Sequence, residues 1–147
     1  MKGQVSTELL VIVALVLLIF IPLLVLVYVK ASEANQQIAS YQAELAVTRV
    51  ASLANSVGSL GTDTTVVTDI YIPPNTVSLE TVQSGRGGEI ILAINTPEGP
   101  KDSAEIIKYP LSNPGSLADA SVAGGWMKLK ISSEYRGNEA YIRIEKQ

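Results

Sequence analysis

Apolar positions along this chain change their pattern twice. From Leu9 to Val29 they follow one another with no charge, and Pro22 is the only helix breaker in the run. At about 1.5 Å rise per residue, such a helix spans roughly 30 Å, the thickness of a bilayer's hydrocarbon core. A soluble helix buries one stripe and is polar elsewhere, whereas this one is apolar on every side. The pattern places it in a membrane or in the dry core of an assembly. From Lys30 to Val57 there is neither Pro nor Gly, and apolar residues recur at Ala34, Ile38, Tyr41, Leu45, Ala46, Val50, Leu53, Ala54 and Val57. That spacing predicts an amphipathic helix, with Glu33, Gln36, Gln37, Gln42, Glu44 and Arg49 on its other faces. One continuous helix is therefore expected from about Ser6 to Val57, stopped by Gly58 and Gly61. Pro22 removes a backbone hydrogen bond inside it, so a kink is expected near Leu18 to Pro22.

Beyond Gly61 the period changes to that of strands. Thr64 to Ile72 is rich in β-branched residues. Val77, Leu79 and Thr81 alternate with Ser78, Glu80 and Val82. Glu89 to Ile94 is nearly continuous in apolar character and suits a central strand. Asn95 to Asp102 reads as a loop and Ala104 to Leu111 as a short strand. Met127, Leu129 and Ile131 share one face, as do Ala140, Ile142 and Ile144 in the last strand, Glu139 to Lys146. Turns fall at Pro73-Pro74-Asn75, Ser84 to Gly88, Ser112 to Gly115 and Arg136-Gly137-Asn138. The fold class expected is α+β, a long N-terminal α-helix packed on a small antiparallel β-sheet domain. The amphipathic half needs an apolar partner, and the inner face of the sheet is the nearest.

Composition narrows the function more than the fold. With 147 residues, the chain has room for one modest domain besides the apolar segment. Its net charge of −3 gives no electrostatic reason to bind nucleic acid. With no Cys and no His, the usual nucleophile–base pairs and the commonest metal ligands are missing. Asp63, Asp69, Glu98 and Asp102 lack the spacing of a calcium loop. No nucleophile-elbow motif occurs. Neither an enzyme nor a bound metal or cofactor is expected. Arg86-Gly87-Gly88, a single Arg-Gly copy in an acidic chain, reads as a turn. Glu134, Glu139 and Glu145 read as solvated strand positions, and Trp126 is open to either core packing or surface adhesion. No Asn-x-Ser/Thr sequon is present.

What precedes the apolar run carries chemistry of a different kind. A secretory signal places its small-residue cleavage site after the apolar centre. Here Gly3, next to Lys2, comes before it, and Val29-Lys30-Ala31-Ser32 is a poor cleavage site. Gly3-Gln4-Val5-Ser6-Thr7-Glu8 resembles the class III signal of type IV pilin-like proteins, in the archaeal form Gln-x-Ser-x-Glu. The resemblance is strongest over residues 2 to 30, and the adhesion-pilin branch fits it best. Its leader, Met1-Lys2-Gly3, is shorter and less basic than bacterial ones. By that resemblance a membrane aspartic peptidase cuts between Gly3 and Gln4, and Glu8 becomes the fifth mature residue. The resemblance divides the chain into a leader (1–3), an apolar transmembrane or filament-core helix (4–29), its amphipathic continuation (30–60) and an extracellular β domain (61–147).

Glu8 has two readings. The plainer one is a first-turn carboxylate at the positive end of the helix dipole, with Ser6 or Thr7 as N-cap. The sharper one is a register device. A carboxylate drawn into an apolar bundle costs several kcal/mol unless paired, and the new amine at Gln4 is a candidate partner. Pro22 reads either as an ordinary membrane-helix kink or as a hinge used on leaving the bilayer. The resemblance implies a structural subunit of an archaeal adhesive filament. Its partners are then a prepilin peptidase, an assembly ATPase with its membrane platform, and copies of itself. It lies in membrane lipid before assembly and at the cell surface afterwards. The alternative is a monomeric, membrane-anchored binding domain or minor pilin.

Overall fold

The computed structural model describes residues 2–61 and 63–147, and side chains from Ser6 onward. Helix α1 runs from Lys2 to Leu60 and is followed by β1 (Thr65–Ile72), β2 (Thr76–Ser84), β3 (Gly87–Thr96), β4 (Gly99–Ile107), β5 (Gly115–Asp119), a 3-10 turn (Ala120–Val122), β6 (Gly125–Arg136) and β7 (Glu139–Lys146). This is the expected α+β architecture, but with two antiparallel sheets. One has the order β1-β6-β7 and the other β4-β3-β2-β5. The chain divides into two compact units, Met1–Gln37 and Ile38–Gln147. The second unit holds the last turns of α1 together with all of these strands.

Both ends of α1 differ from expectation. The helix starts at Lys2, so Ser6 and Thr7 lie inside it rather than capping it, and no acidic residue occupies its first turn. At the other end, helix continues through Gly58 and stops at Gly61, which has φ +102°. Gly58 serves packing instead: a Cβ there would lie 2.4 Å from the Tyr109 ring. The carbonyl of Gly61 accepts a hydrogen bond from the buried Ser133 hydroxyl, and Ser133 N donates to Thr64 O at 3.0 Å. These bonds tie the helix end to β6.

The face of α1 that packs on the sheets is made of small residues. Ala43, Ala46, Val47, Val50, Ala51, Ala54 and Val57 are buried in one cluster with Ile70, Leu79, Ile90, Leu92, Leu129, Ile131, Ile142 and Ile144. Ala and Val let the backbone approach closely, and the strands supply the volume. Of the apolar row expected from the sequence, Ala46, Val50, Ala54 and Val57 are buried and Leu53 packs at the margin. Ala34, Ile38, Tyr41 and Leu45 are exposed. At 100° per residue, Leu45 lies about 140° round the helix from Val50, so the apolar positions form two rows rather than one.

Strand faces follow the alternation read from the sequence. Ile90, Leu92 and Ile94 of β3 are buried, and β3 lies centrally between β4 and β2. Met127, Leu129 and Ile131 of β6 point inward, as do Ala140, Ile142 and Ile144 of β7. Val77 was read on one face with Leu79 and Thr81, which are buried, but the register shifts between Thr76 and Ser78, and the resulting bulge turns Val77 outward. The segment expected as a loop up to Asp102 is largely strand. β4 begins at Gly99 and pairs with β3 from Thr96↔Gly99 onward. β4 ends at Ile107, and Leu111 instead forms a parallel bridge to Ile142 at the edge of β7. Ser112 N donates to Ile142 O, and Ile142 N to Pro110 O, both at 2.8 Å. β5 was not foreseen at all.

Polar residues of α1 bond to the C-terminal end of β4 and the residue after it. Asn55 Oδ1 accepts from Lys108 N at 2.8 Å and its Nδ2 donates to Ile106 O at 3.4 Å. Thr48 Oγ1 donates to Glu105 Oε1 at 3.1 Å.

Candidate functional site

The residues singled out by the sequence lie in the first unit. Gly3 and Gln4, between which the cut is expected, belong to α1 by backbone. Glu8 sits in the second turn of α1, exposed, and no ion pair is formed by it among the described residues. The first-turn dipole reading is thereby replaced, since Glu8 lies beyond the turn where that field is strongest. The helix continues through Pro22.

From Ser6 to Asn35 every side chain is exposed, including each of the large apolar residues between Leu9 and Val29. α1 is thus one helix long and apolar enough to cross a membrane, near the N-terminus. It carries no charge between Glu8 and Lys30. Lys30 and Glu33 follow the run as an exposed pair at 2.8 Å. The chemistry available here is apolar contact on every side, with one carboxylate near the start.

In the second unit, Arg143 and Asp119 are the groups held by charged or hydrogen-bonded neighbours. On the outer face of β6 and β7, the Arg143 guanidinium is held charged, above its ordinary value, first by Glu145 at 2.7 Å and then by Glu134 at 3.1 Å. Arg136 lies over the Tyr141 ring at 5.4 Å. Asp119 caps the 3-10 turn, and the Ser121 hydroxyl and N–H together hold its carboxyl below the ordinary value. Among the described residues no group of three or more His, Cys, Asp or Glu could hold a metal ion. Arg86 lies in the turn between β2 and β3, as read. Gly87 and Gly88, read with Arg86 as turn, already belong to β3, where a Cβ would meet Ile107 O at 2.5 Å or the Leu111 side chain at 2.4 Å.

Trp126 proves to be a surface residue, 69% exposed, with its ring edge-on to Tyr71 at a centroid distance of 5.5 Å. Beside it a groove of about 380 Å³ is lined by Leu45, Ala46, Ile70, Tyr71 and Trp126, with Gln42 and Arg49 as the polar members. The sequence reading did not find this groove, because it assigned Leu45 to the core.

No family model, no curated protein and no solved structure matches this chain.

Proposed function

We propose that this chain is a type IV pilin-like structural subunit of archaeal type. It is inserted in the membrane as a precursor, cut between Gly3 and Gln4, and polymerised through its N-terminal helix into an adhesive surface filament. One observation carries the reading: a helix apolar and exposed on all sides continues directly into the helix that forms the core of the β domain. Such a helix leaves lipid only for another dry environment, and a bundle of identical helices provides one. The order Gly3, Gln4, Ser6, Glu8 and then the apolar run supports the same reading, because it places the cut before the anchor and keeps the anchor on the mature chain.

Glu8 is the single carboxylate in that helix before Glu33. Drawn into a bundle, it needs a cation, and the amine freed at Gln4 is the nearest one the processing would create. The pairing would favour one axial register among copies. The peptidase, the assembly ATPase and the membrane platform are the partners this life cycle requires. The test is the composition of sheared surface filaments. This chain as their major component supports the proposal. Its confinement to the membrane fraction would leave an anchored domain instead.

A further inference from the structure

At the end of the β domain where α1 stops, a cleft of about 470 Å³ lies between the turn joining β2 to β3 and the start of β7. Gln83, Arg86, Tyr109, Pro110, Glu139 and Tyr141 border it. The fold fixes its walls. Tyr109 packs on Gly58, where a Cβ would lie 2.4 Å from the ring. Gln83 accepts from Leu111 N at 2.8 Å and donates to Gly85 O at 3.2 Å, which ties the turn to the segment after β4. Pro110 O accepts from Ile142 N of β7 at 2.8 Å. The Arg136 guanidinium lies over the Tyr141 ring at 5.4 Å. Within this frame four polar ends are unpaired. The Arg86 guanidinium, the Glu139 carboxylate and the hydroxyls of Tyr109 and Tyr141 make no hydrogen bond or ion pair among the described residues. Walls already in place lower the ordering cost of binding, and a few polar groups on them set the ligand.

The mixture of ends selects the chemistry. A guanidinium only donates, a carboxylate only accepts, and a phenol hydroxyl does both. A lipid chain would take both charges out of water unpaired. A phosphate would suit Arg86 but meet Glu139, in a chain of net charge −3. A calcium ion needs more oxygen ligands than one carboxylate supplies. An added peptide strand would meet a β7 edge already bonded at Ile142 by Pro110 and Ser112. A zwitterion would pair the two charges and leave both phenols. A ring with several hydroxyls answers all four ends, because each hydroxyl donates and accepts, and its C–H face suits a tyrosine ring. We propose that this cleft binds a neutral hexopyranose unit of a surface polysaccharide. The inference deepens the adhesive part of the filament reading, and rests on it for placing the cleft outside the cell.

The test uses the full-length chain in a polyoxyethylene detergent, which carries no sugar. It is titrated calorimetrically with neutral gluco-, galacto- and manno-configured tetrasaccharides, with tetragalacturonate and with glycine. At least one neutral tetrasaccharide binds with a Kd of about 1 mM or tighter. R86A and E139A, both at exposed positions, each weaken that binding about tenfold and leave the unfolding midpoint where it was. No neutral tetrasaccharide bound at about 10 mM would overturn the inference. So would an affinity that either variant leaves unchanged, or one lost only together with a lowered midpoint. Tetragalacturonate bound more tightly than every neutral sugar would replace it with an anion site, and glycine bound more tightly with a zwitterion site. Filaments built of this chain whose subunits bind no sugar sink this inference and leave the filament reading standing. Sugar binding by a chain that never enters filaments does the reverse.

Discussion

The two halves of α1 use apolar residues in opposite ways. From Leu9 to Val29 the apolar side chains are mostly Leu, Ile and Val, with Phe20 and Tyr28, and all are exposed. From Ile38 on, the buried ones are Ala and Val only, and the larger Ile38, Tyr41 and Leu45 face outward. In the second half of the helix the larger apolar side chains are thus the exposed ones. The sheets demand close approach, which Ala and Val allow. The bulky residues are left uncovered by the single chain. Hydrophobicity in this protein marks two separate demands, one for folding and one for location.

The sharpest way to break the comparison is to place the same substitution in both halves. Ala54 is fully buried and Ala14 is exposed. Ala54→Asp leaves an uncompensated charge in the core and should cost about 3–5 kcal/mol in unfolding of the second unit. Ala14→Asp should leave that unfolding unchanged. It should instead weaken membrane insertion by about 3 kcal/mol, read as the inserted fraction. Thermal unfolding of the full chain in detergent, followed through the strand signal, checks the first part. Equal losses in both variants would show that the halves are not energetically separate.

A smaller effect is expected at the junction of helix and β domain. Gly58→Ala drives a Cβ into the Tyr109 ring, and overpacking of this kind costs about 1–3 kcal/mol. Combining it with Tyr109→Ala should recover most of the loss that Gly58→Ala adds, because the clash is with that ring. A double-mutant cycle measures the coupling. Asn55→Ala removes the bonds to Ile106 O at the end of β4 and to Lys108 N just after it, and should cost about 1 kcal/mol, with faster hydrogen exchange at Lys108 N. No matching change is expected at the β7 edge.

The smallest effect concerns pH. Asp119 is held below its ordinary value of 3.8 by the bonds from Ser121. A depressed carboxyl adds stability that is present above the ordinary value and lost as pH falls through the lowered, folded one. Wild type and Asp119→Asn should therefore converge in unfolding midpoint as pH is lowered below about 4, and stay apart above it. Being exposed, this group shifts the midpoint only slightly. A constant difference down to pH 2 would remove the linkage.

Much of the fold was legible because local periods are strong. The long helix, the central place of β3 and the inward faces of β6 and β7 all followed from spacing alone. The missed parts share one cause: spacing identifies apolar positions but not what covers them. Ile38, Tyr41 and Leu45 weigh more in such a reading than Ala39 and Ala43, yet the sheets select the alanines. Val77 was lost to a one-residue bulge, and Gly58 was read as a stop although its backbone remains helical. β5, Gly115–Asp119, is too short and too poor in β-branched residues to signal a strand, and depends on its pairing with β2. In the candidate site, Glu8 and the apolar run were visible from the start. Trp126 and the groove beside it were not, since their surroundings come from distant strands.

The central claim, a processed helix that moves from lipid into a filament, is tested most directly at the N-terminus. Mass spectrometry of the chain from native membranes and from sheared surface filaments gives its first residue in each. A start at Gln4 in the filament fraction is the expected result, and it joins processing to polymerisation in a single observation. A chain that begins at Met1 and occurs only in membranes would contradict the account and take away the register role assigned to Glu8.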